Sequence, residues 1–317
     1  MTKINTVLGS IEVEELGFTL MHEHIFNVNW AMRSAFDNWV DKEAVIDKAV
    51  EHMKAARDLG VASLVDVTPI NLGRDVHIMR EVSERSGVHV VAATGLYYNY
   101  EPWMGNWEID RLVEVLLQDI EQGIQGTNGK AGVIKCASDT DGITPENEKL
   151  LRMTARLHLA SGIPITTHTD VSAKTGLGQI EIFEDEGVDL SHVIIGHSGD
   201  SEDLDYLEGM LKKKVSIGMD RFGLDMILET EKRVSVISEL CSRGWAEQMV
   251  LSHDACCGMD WFPADTFETM STQVAPNWNF SFVPGQVVGL LREAGIADDQ
   301  IRAMTHGNPA RCLLPSS

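Results

Sequence analysis

Short apolar or β-branched runs recur along the chain, and a segment with helical periodicity follows most of them. The eight runs cover residues 18–21, 62–67, 89–94, 132–136, 164–167, 193–196, 215–219 and 249–252. The helical segments cover residues 43–59, 111–124, 146–160, 180–186, 204–211 and 231–242. Apolar strands that alternate with helices pair in parallel through helical crossovers. Eight repeats in about 240 residues predict an α/β fold, the closed (β/α)8 TIM barrel, rather than an open doubly wound sheet.

The two ends of the chain lie outside this repeat. Residues 3–16 place Gly9 and Ser10 between two β-prone runs, which predicts a short N-terminal β-hairpin. Residues 293–314 predict a final helix or two. Because no polar or low-complexity linker divides the chain, we expect one domain over residues 1–317.

The charge balance limits the partners that the protein can have. The 317 residues include 26 basic and 48 acidic side chains, for a net charge of −22. This charge repels a phosphate backbone and an anionic membrane surface, so we expect neither nucleic acid nor a membrane as a partner. With no apolar leader in the first ten residues and five cysteines, an odd number, we expect a cytoplasmic protein with reduced thiols.

Potential metal ligands follow five of the eight predicted strands. They are His22 and His24 after the first, Lys135 on the fourth, His168 after the fifth, His197 after the sixth and Asp254 after the eighth. A barrel of this type gathers the carboxyl ends of its strands at one rim. A single strand-end histidine is usually structural, but this set favours divalent Zn, Co, Fe or Mn and is too large for one tetrahedral ion. We therefore expect two metal ions.

Lys135 has small or apolar neighbours on its strand. Burial and nearby cations should lower its pKa and leave a neutral amine that can react with carbon dioxide. The carbamate would supply two oxygens for two metals. The residues alone support about equally well a second interpretation, in which the stem of Lys135 packs in the barrel and its ammonium reaches solvent.

The strand ends and their flanks resemble the phosphotriesterase-like lactonases of the amidohydrolase superfamily. The motifs are Leu20-Met21-His22-Glu23-His24, Val133-Ile134-Lys135-Cys136, Thr167-His168-Thr169, Ile195-Gly196-His197, Gly218-Met219-Asp220-Arg221 and Leu251-Ser252-His253-Asp254. The resemblance implies one metal on His22, His24 and Asp254 and a second on His168 and His197. It also implies that N6-carboxylated Lys135 and a hydroxide bridge the two metals, and that the protein is a homodimer.

The same resemblance suggests roles beyond metal binding. Asp254 would take a proton from the attacking water and pass it to the leaving oxygen. Tyr97, where specialised phosphotriesterases carry tryptophan, would hydrogen-bond the lactone, or else pack as a rim tyrosine. Arg221 would face the substrate, or else pair with Asp220.

The segment 256–280 is rich in large apolar side chains for a loop. We expect it to gate an acyl chain, with Trp261 as a wall and Cys256 near the metals, although these residues could simply pack the loop onto the barrel.

Together these features predict a binuclear metal-dependent lactonase. We expect it to open N-acyl homoserine lactones, a quorum-quenching activity, and related γ- and δ-lactones, with weak promiscuous phosphotriesterase activity. Three alternatives stay open: a dedicated phosphotriesterase, which Tyr97 disfavours; a metal-dependent nuclease, which the acidic charge disfavours; and a catalytically silent barrel that binds no metal.

Overall fold

The computed structural model describes residues 3–316 and places eight parallel strands in a barrel preceded by a hairpin. The hairpin pairs β1 (Lys3–Thr6) with β2 (Gly9–Glu12) in antiparallel register. The barrel strands are β3 (Phe18–Glu23), β4 (Val61–Asp66), β5 (His89–Gly95), β6 (Ala131–Ala137), β7 (Ile165–His168), β8 (Val193–Ile195), β9 (Ser216–Met219) and β10 (Met249–Leu251). Each barrel strand pairs in parallel with the next along the chain. The predicted barrel and hairpin are confirmed.

Hydrogen bonds just beyond the strand ends join the first barrel strand to the last. Asp254 N–H donates to His22 O over 3.0 Å, and His24 N–H donates to Ala255 O over 2.8 Å. A parallel bridge between His24 and Cys256 continues this pairing. The residues that close the barrel are therefore themselves predicted metal ligands or their immediate neighbours.

Helices cover the outside of the barrel. They are α1 (Trp30–Ala35), α2 (Lys42–Asp58), α3 (Val76–Ser86), α4 (Ile109–Glu121), α5 (Pro145–Ser161), α6 (Thr175–Asp185), α7 (Leu204–Leu211), α8 (Thr230–Ser242), α9 (Ala264–Thr269), α10 (Val288–Glu293), α11 (Asp298–Arg302) and α12 (Asn308–Leu313). None of the helices within residues 3–316 is both long and apolar enough to cross a membrane.

Two helical regions can be compared with the expectation. Helix α3 was not among the predicted segments, although Asp75 caps it by accepting from the N–H groups of His77 and Ile78. Near the C-terminus, α11 and α12 both lie within residues 293–314, so the predicted final helix or two is confirmed.

The N-terminal hairpin closes the lower end of the barrel. Val7 N–H donates to Val90 O, and Asn5 Nδ2 donates to Ala131 O, so the hairpin lies against the first residues of β5 and β6. Ile4 and Leu16 pack with interior barrel residues in one buried cluster. Because this end is filled, the carboxyl ends of the strands form the accessible mouth.

Candidate active site

The six predicted ligands converge at the carboxyl ends of the barrel strands. Lys135 Nζ lies 2.8 Å from His22 Nε2. His24 Nε2 lies 3.2 Å from Asp254 Oδ1. His197 Nε2 lies 2.9 Å from His168 Nδ1 and 3.8 Å from Asp254 Oδ2. The fold therefore brings together nitrogen and oxygen donors that lie far apart in the sequence.

Two of these residues have backbone conformations that L-amino acids rarely adopt. Asp254 has φ 53° and His197 has φ 59°, both in the left-handed region. Strain of this kind persists only where the surrounding structure holds it, and it concentrates at functional sites. Gly196, beside His197, is required by space, because a Cβ there would lie 2.0 Å from Thr167 O and 3.1 Å from His22 Cε1.

Burial shifts the basic groups of the site toward their neutral forms. It lowers the pKa of Lys135 to about 8, against the opposing attraction of Asp254. Burial, reinforced by Lys135, lowers the pKa of His22 to about 4. Burial is also the main cause that lowers the pKa values of His168 and His197. Neutral imidazoles and a neutral amine are the protonation states that metal binding and carbamate formation need.

The donor set fits divalent metal ions. Donor atoms of His22, His24 and Asp254 lie within 4.8 Å of one another, a spacing that could hold an ion. His168 Nδ1 and His197 Nε2 face each other beside this group. Imidazole and carboxylate donors suit Zn, Co, Fe or Mn.

Asp220, to which we assigned no site role, lies behind two of the histidines. Its carboxylate oxygens lie 3.0 Å from His22 Nδ1 and 3.0 Å from His197 Nδ1, and they also accept from His197 N–H. Although burial raises the pKa of the Asp220 carboxyl, the facing His197 and His22 hold it well below its usual range. Asp220 thus fixes which nitrogen of each ring faces the site. Its position directly after β9 was the signal in the sequence.

Two further residues orient the remaining histidines. Thr68 Oγ1 lies 2.8 Å from His24 Nδ1. Asp139 Oδ2 lies 2.8 Å from His168 Nε2, and this hydrogen bond holds the pKa of Asp139 below its usual range. Both follow barrel strands, β4 and β6, but nothing in their sequence context distinguishes them from ordinary loop residues.

The predicted substrate contacts occupy different parts of the site. The Tyr97 hydroxyl lies 3.2 Å from His168 Nδ1, inside the site. Arg221 pairs with Asp254 at 3.0 Å and with Asp200 at 2.9 Å, so its ion pairs are not with its neighbour Asp220. The Cys256 thiol is buried and donates to Gly258 O.

A cavity of about 340 Å³ lies above the ligands, and Tyr97, Arg221, Cys256 and Trp261 all contribute to its wall. Trp261 is 54% exposed, at the mouth. The upper wall is mostly apolar and includes Leu224, Met226, Ile227, Phe262, Met270 and Trp278. Three of these six, Phe262, Met270 and Trp278, come from the segment that follows β10, and the other three follow β9. Phe267 of the segment after β10 instead is buried and packs against Trp278.

Comparison with known proteins now places the chain in a family. The model of the phosphotriesterase family matches residues 2–313. The chain belongs to the phosphotriesterase family. This confirms the resemblance read from the strand ends, and the protein is a phosphotriesterase-family hydrolase.

Relatives within the phosphotriesterase family match almost end to end. A phosphotriesterase homology protein of Mycobacterium tuberculosis is 39% identical over 321 residues, which cover 98% of this chain and 97% of the relative. An aryldialkylphosphatase of Saccharolobus solfataricus is 34% identical over 304 residues, covering 95% and 96%. The solved structure of the phosphotriesterase from Mycobacterium tuberculosis superposes with a TM-score of 0.92 at 38% identity, covering 98% of each chain.

Proposed function

We propose that this protein is a binuclear metal-dependent lactonase that opens N-acyl homoserine lactones and related γ- and δ-lactones. Weak phosphotriester hydrolysis would be a side activity. One observation carries the proposal: the buried ligand cluster forms the base of a cavity whose upper wall is apolar. A small polar ring fits at such a base, and an acyl chain fits along such a wall.

The residues present can hold the two metals as the family resemblance implies. In this proposal His22, His24 and Asp254 would hold one ion, His168 and His197 would hold the other, and carboxylated Lys135 would supply oxygens to both. The buried Lys135 Nζ, close to His22 Nε2, supports the bridging role. Bound divalent ions would activate a water for attack and polarise the lactone carbonyl.

The chain's own side chains orient the substrate and move the proton. Asp254, at the centre of the donor cluster, takes the proton of the attacking water and passes it to the ring oxygen as that oxygen leaves. The Tyr97 hydroxyl donates a hydrogen bond to a lactone oxygen. Arg221 holds Asp254 through its Nε, and Asp200 in turn anchors Arg221.

A dedicated phosphotriesterase is the second candidate, favoured by the named activity of the aryldialkylphosphatase relative. Tyr97 disfavours a dedicated phosphotriesterase. A tryptophan there would fill the space beside His168 that a lactone could use.

The test is hydrolysis measured on protein whose metal content is determined in the same preparation. A pH-stat follows ring opening of N-acyl homoserine lactones of several chain lengths, and absorbance follows an aryl phosphotriester. We expect a kcat/KM for the best lactone that exceeds the phosphotriester value at least tenfold. Two metals per chain with no lactone hydrolysis would refute the proposal, and a preference for the phosphotriester would support the second candidate.

We also propose that the protein is a cytoplasmic homodimer. Besides its metal ions it would bind a small-molecule lactone, and neither nucleic acid nor a membrane. All five cysteines are buried free thiols, which suits a reducing compartment. Light scattering coupled to size-exclusion chromatography tests the dimer, and cell fractionation tests the location.

A further inference from the structure

A second cavity, of about 440 Å³, adjoins the one above the ligands. The two cavities share four wall residues, Asn27, Leu72, Tyr97 and Trp261. The remaining wall of the second cavity is polar, with three more asparagines and the carboxylates of Glu101 and Asp260. We call it the asparagine cavity. A substrate bound over the ligand cluster therefore lies directly beside a polar compartment.

Asn27 occupies the junction between the two cavities. Its backbone is held on both sides, because its N–H donates to Gly258 O and its carbonyl accepts from Asp260 N–H. The residue is only 5% exposed. Within residues 3–316, no group hydrogen-bonds its side-chain carboxamide.

The nitrogen and oxygen of this carboxamide are not sealed from solvent, so they face the open cavity and can pair with a group that enters it. Because the backbone of Asn27 is fixed on both sides, a polar group that enters the junction would meet the carboxamide already in place.

Three other polar side chains of the asparagine cavity are already engaged, and Asn99, which also lines it, is exposed to solvent. Asn71 accepts from Tyr97 N–H at 2.7 Å, and Asp260 accepts from the indole of Trp39 at 2.7 Å. Glu101 accepts from the indole of Trp103 at 2.7 Å. Asn27 is therefore a buried side chain with free hydrogen-bonding capacity at the junction.

The charge of the wall indicates what kind of group can bind. Two carboxylates line the asparagine cavity, and no Lys, Arg or His does so in the described part of the chain. An anionic group, such as a carboxylate or a phosphate, would be repelled. A carboxamide offers N–H donors and a C=O acceptor, and either can pair with the complementary group of an uncharged amide.

We propose that Asn27 determines specificity by hydrogen-bonding an uncharged amide carried beside the reacting ring of the substrate. The inference rests on the proposed lactonase function for the reaction itself. It adds that the enzyme distinguishes amide-bearing lactones from alkyl lactones of the same length. The amide lies at the junction of the cavities while the ring lies over the ligand cluster.

Binding of two non-hydrolysable ketones to the metal-loaded enzyme tests this directly. The probes are the N-octanoyl amide of 2-aminocyclopentanone and a 2-alkylcyclopentanone of matched chain length, with Kd measured by calorimetry. The variants are Asn27→Leu, close in size, and Asn27→Ala, in case the leucine variant does not fold. Asn99→Ala is the control, because Asn99 lines the same cavity but is exposed.

We expect the wild type to prefer the amide probe, and we expect both Asn27 variants to lose about three- to tenfold of that preference. Asn99→Ala should change it less than twofold. An equal preference in wild type and variants, or no binding of the amide probe to the wild type, would overturn the inference. Because this binding needs no turnover, a wild type that binds the amide probe through Asn27 but opens no lactone would refute the proposed function alone.

Discussion

The carboxylate of Glu23 accepts a hydrogen bond of 2.6 Å from Nδ1 of His253. Val283 N–H donates to Nε2 of the same ring at 2.8 Å, so Nδ1 carries the proton. Glu23 also accepts from the hydroxyl of Ser252 and from Ala255 N–H. Glu23 therefore points away from the ligand cluster. It ties the end of β3 to the segment that carries Asp254.

Replacement of Glu23 by glutamine should destabilise the protein by about 2–4 kcal/mol, because a buried acceptor of several hydrogen bonds would be replaced by an amide that must also place two donors. The free energy of unfolding in urea measures this. Glu14→Gln, at an exposed position, is the matched control and should change it by less than about 0.5 kcal/mol. Equal stability of the two variants would show that the Glu23 contacts contribute nothing.

Asp220→Asn should weaken metal binding about 10- to 100-fold, because an amide lacks the charge and the second oxygen with which the carboxylate faces Nδ1 of both His22 and His197. Competition with a chromogenic chelator gives the affinity. Asp205→Asn, on the surface helix α7, should leave the affinity unchanged. A wild-type affinity in Asp220→Asn would contradict its role in orienting the rings.

Asp254→Asn should lose turnover far more than metal content, since an amide oxygen can still coordinate but cannot take a proton. We expect at least a 100-fold fall in kcat. Elemental analysis and kcat are measured on one preparation. Turnover that survives, with metal retained, would remove the proton-transfer role.

Tyr97→Phe should lower kcat/KM for lactones about tenfold, the value of one hydrogen bond, because the phenol beside His168 would be lost while the ring still packs against Tyr98. Initial rates with a lactone and with an aryl phosphotriester are compared. Tyr100→Phe, at an exposed position, serves as control. Unchanged lactone kinetics in Tyr97→Phe would leave Tyr97 as a packing residue.

The buried histidines should make the protein acid-sensitive. In the folded protein the pKa of His22 is about 4, and the pKa values of His168 and His197 are also below 6.5. In the unfolded chain a histidine titrates near 6.5. Between the folded and unfolded pKa values the unfolded chain therefore binds more protons than the folded one. The contribution of these histidines to the free energy of unfolding is then fully present above about pH 6.5 and is lost as the pH falls. For His22 alone the loss at pH 5 is about 2 kcal/mol.

Urea midpoints of the metal-free protein between pH 7.5 and pH 5 check this prediction. His77→Gln, at an exposed position, should leave the profile unchanged. A midpoint independent of pH would mean that these rings titrate normally in the folded protein.

Much of this architecture could be predicted because secondary structure follows from local patterns in the sequence. Strand and helix periodicity depends on neighbouring residues. The predicted bounds of seven barrel strands therefore differ from the observed bounds by at most one residue at either end, and the remaining strand, β3, extends two residues beyond its predicted end, to Glu23. The ligand residues follow from the same logic, since a barrel brings the carboxyl ends of its strands to one rim whatever lies between them. His22, Lys135 and Asp254 could therefore be named together from sequence.

The tertiary structure decided the contacts that hold this site in place. Glu23 and His253 are 230 positions apart, and no local pattern links them. Asp220 reads in the sequence as a neighbour of Arg221, yet it contacts two histidines on other strands, and Arg221 turns to Asp200 and Asp254. Asn27 is an ordinary polar residue until folding fixes its backbone and leaves its carboxamide without a hydrogen-bond partner among residues 3–316. Periodicity determines which elements form, whereas the direction of each side chain depends on packing between distant segments.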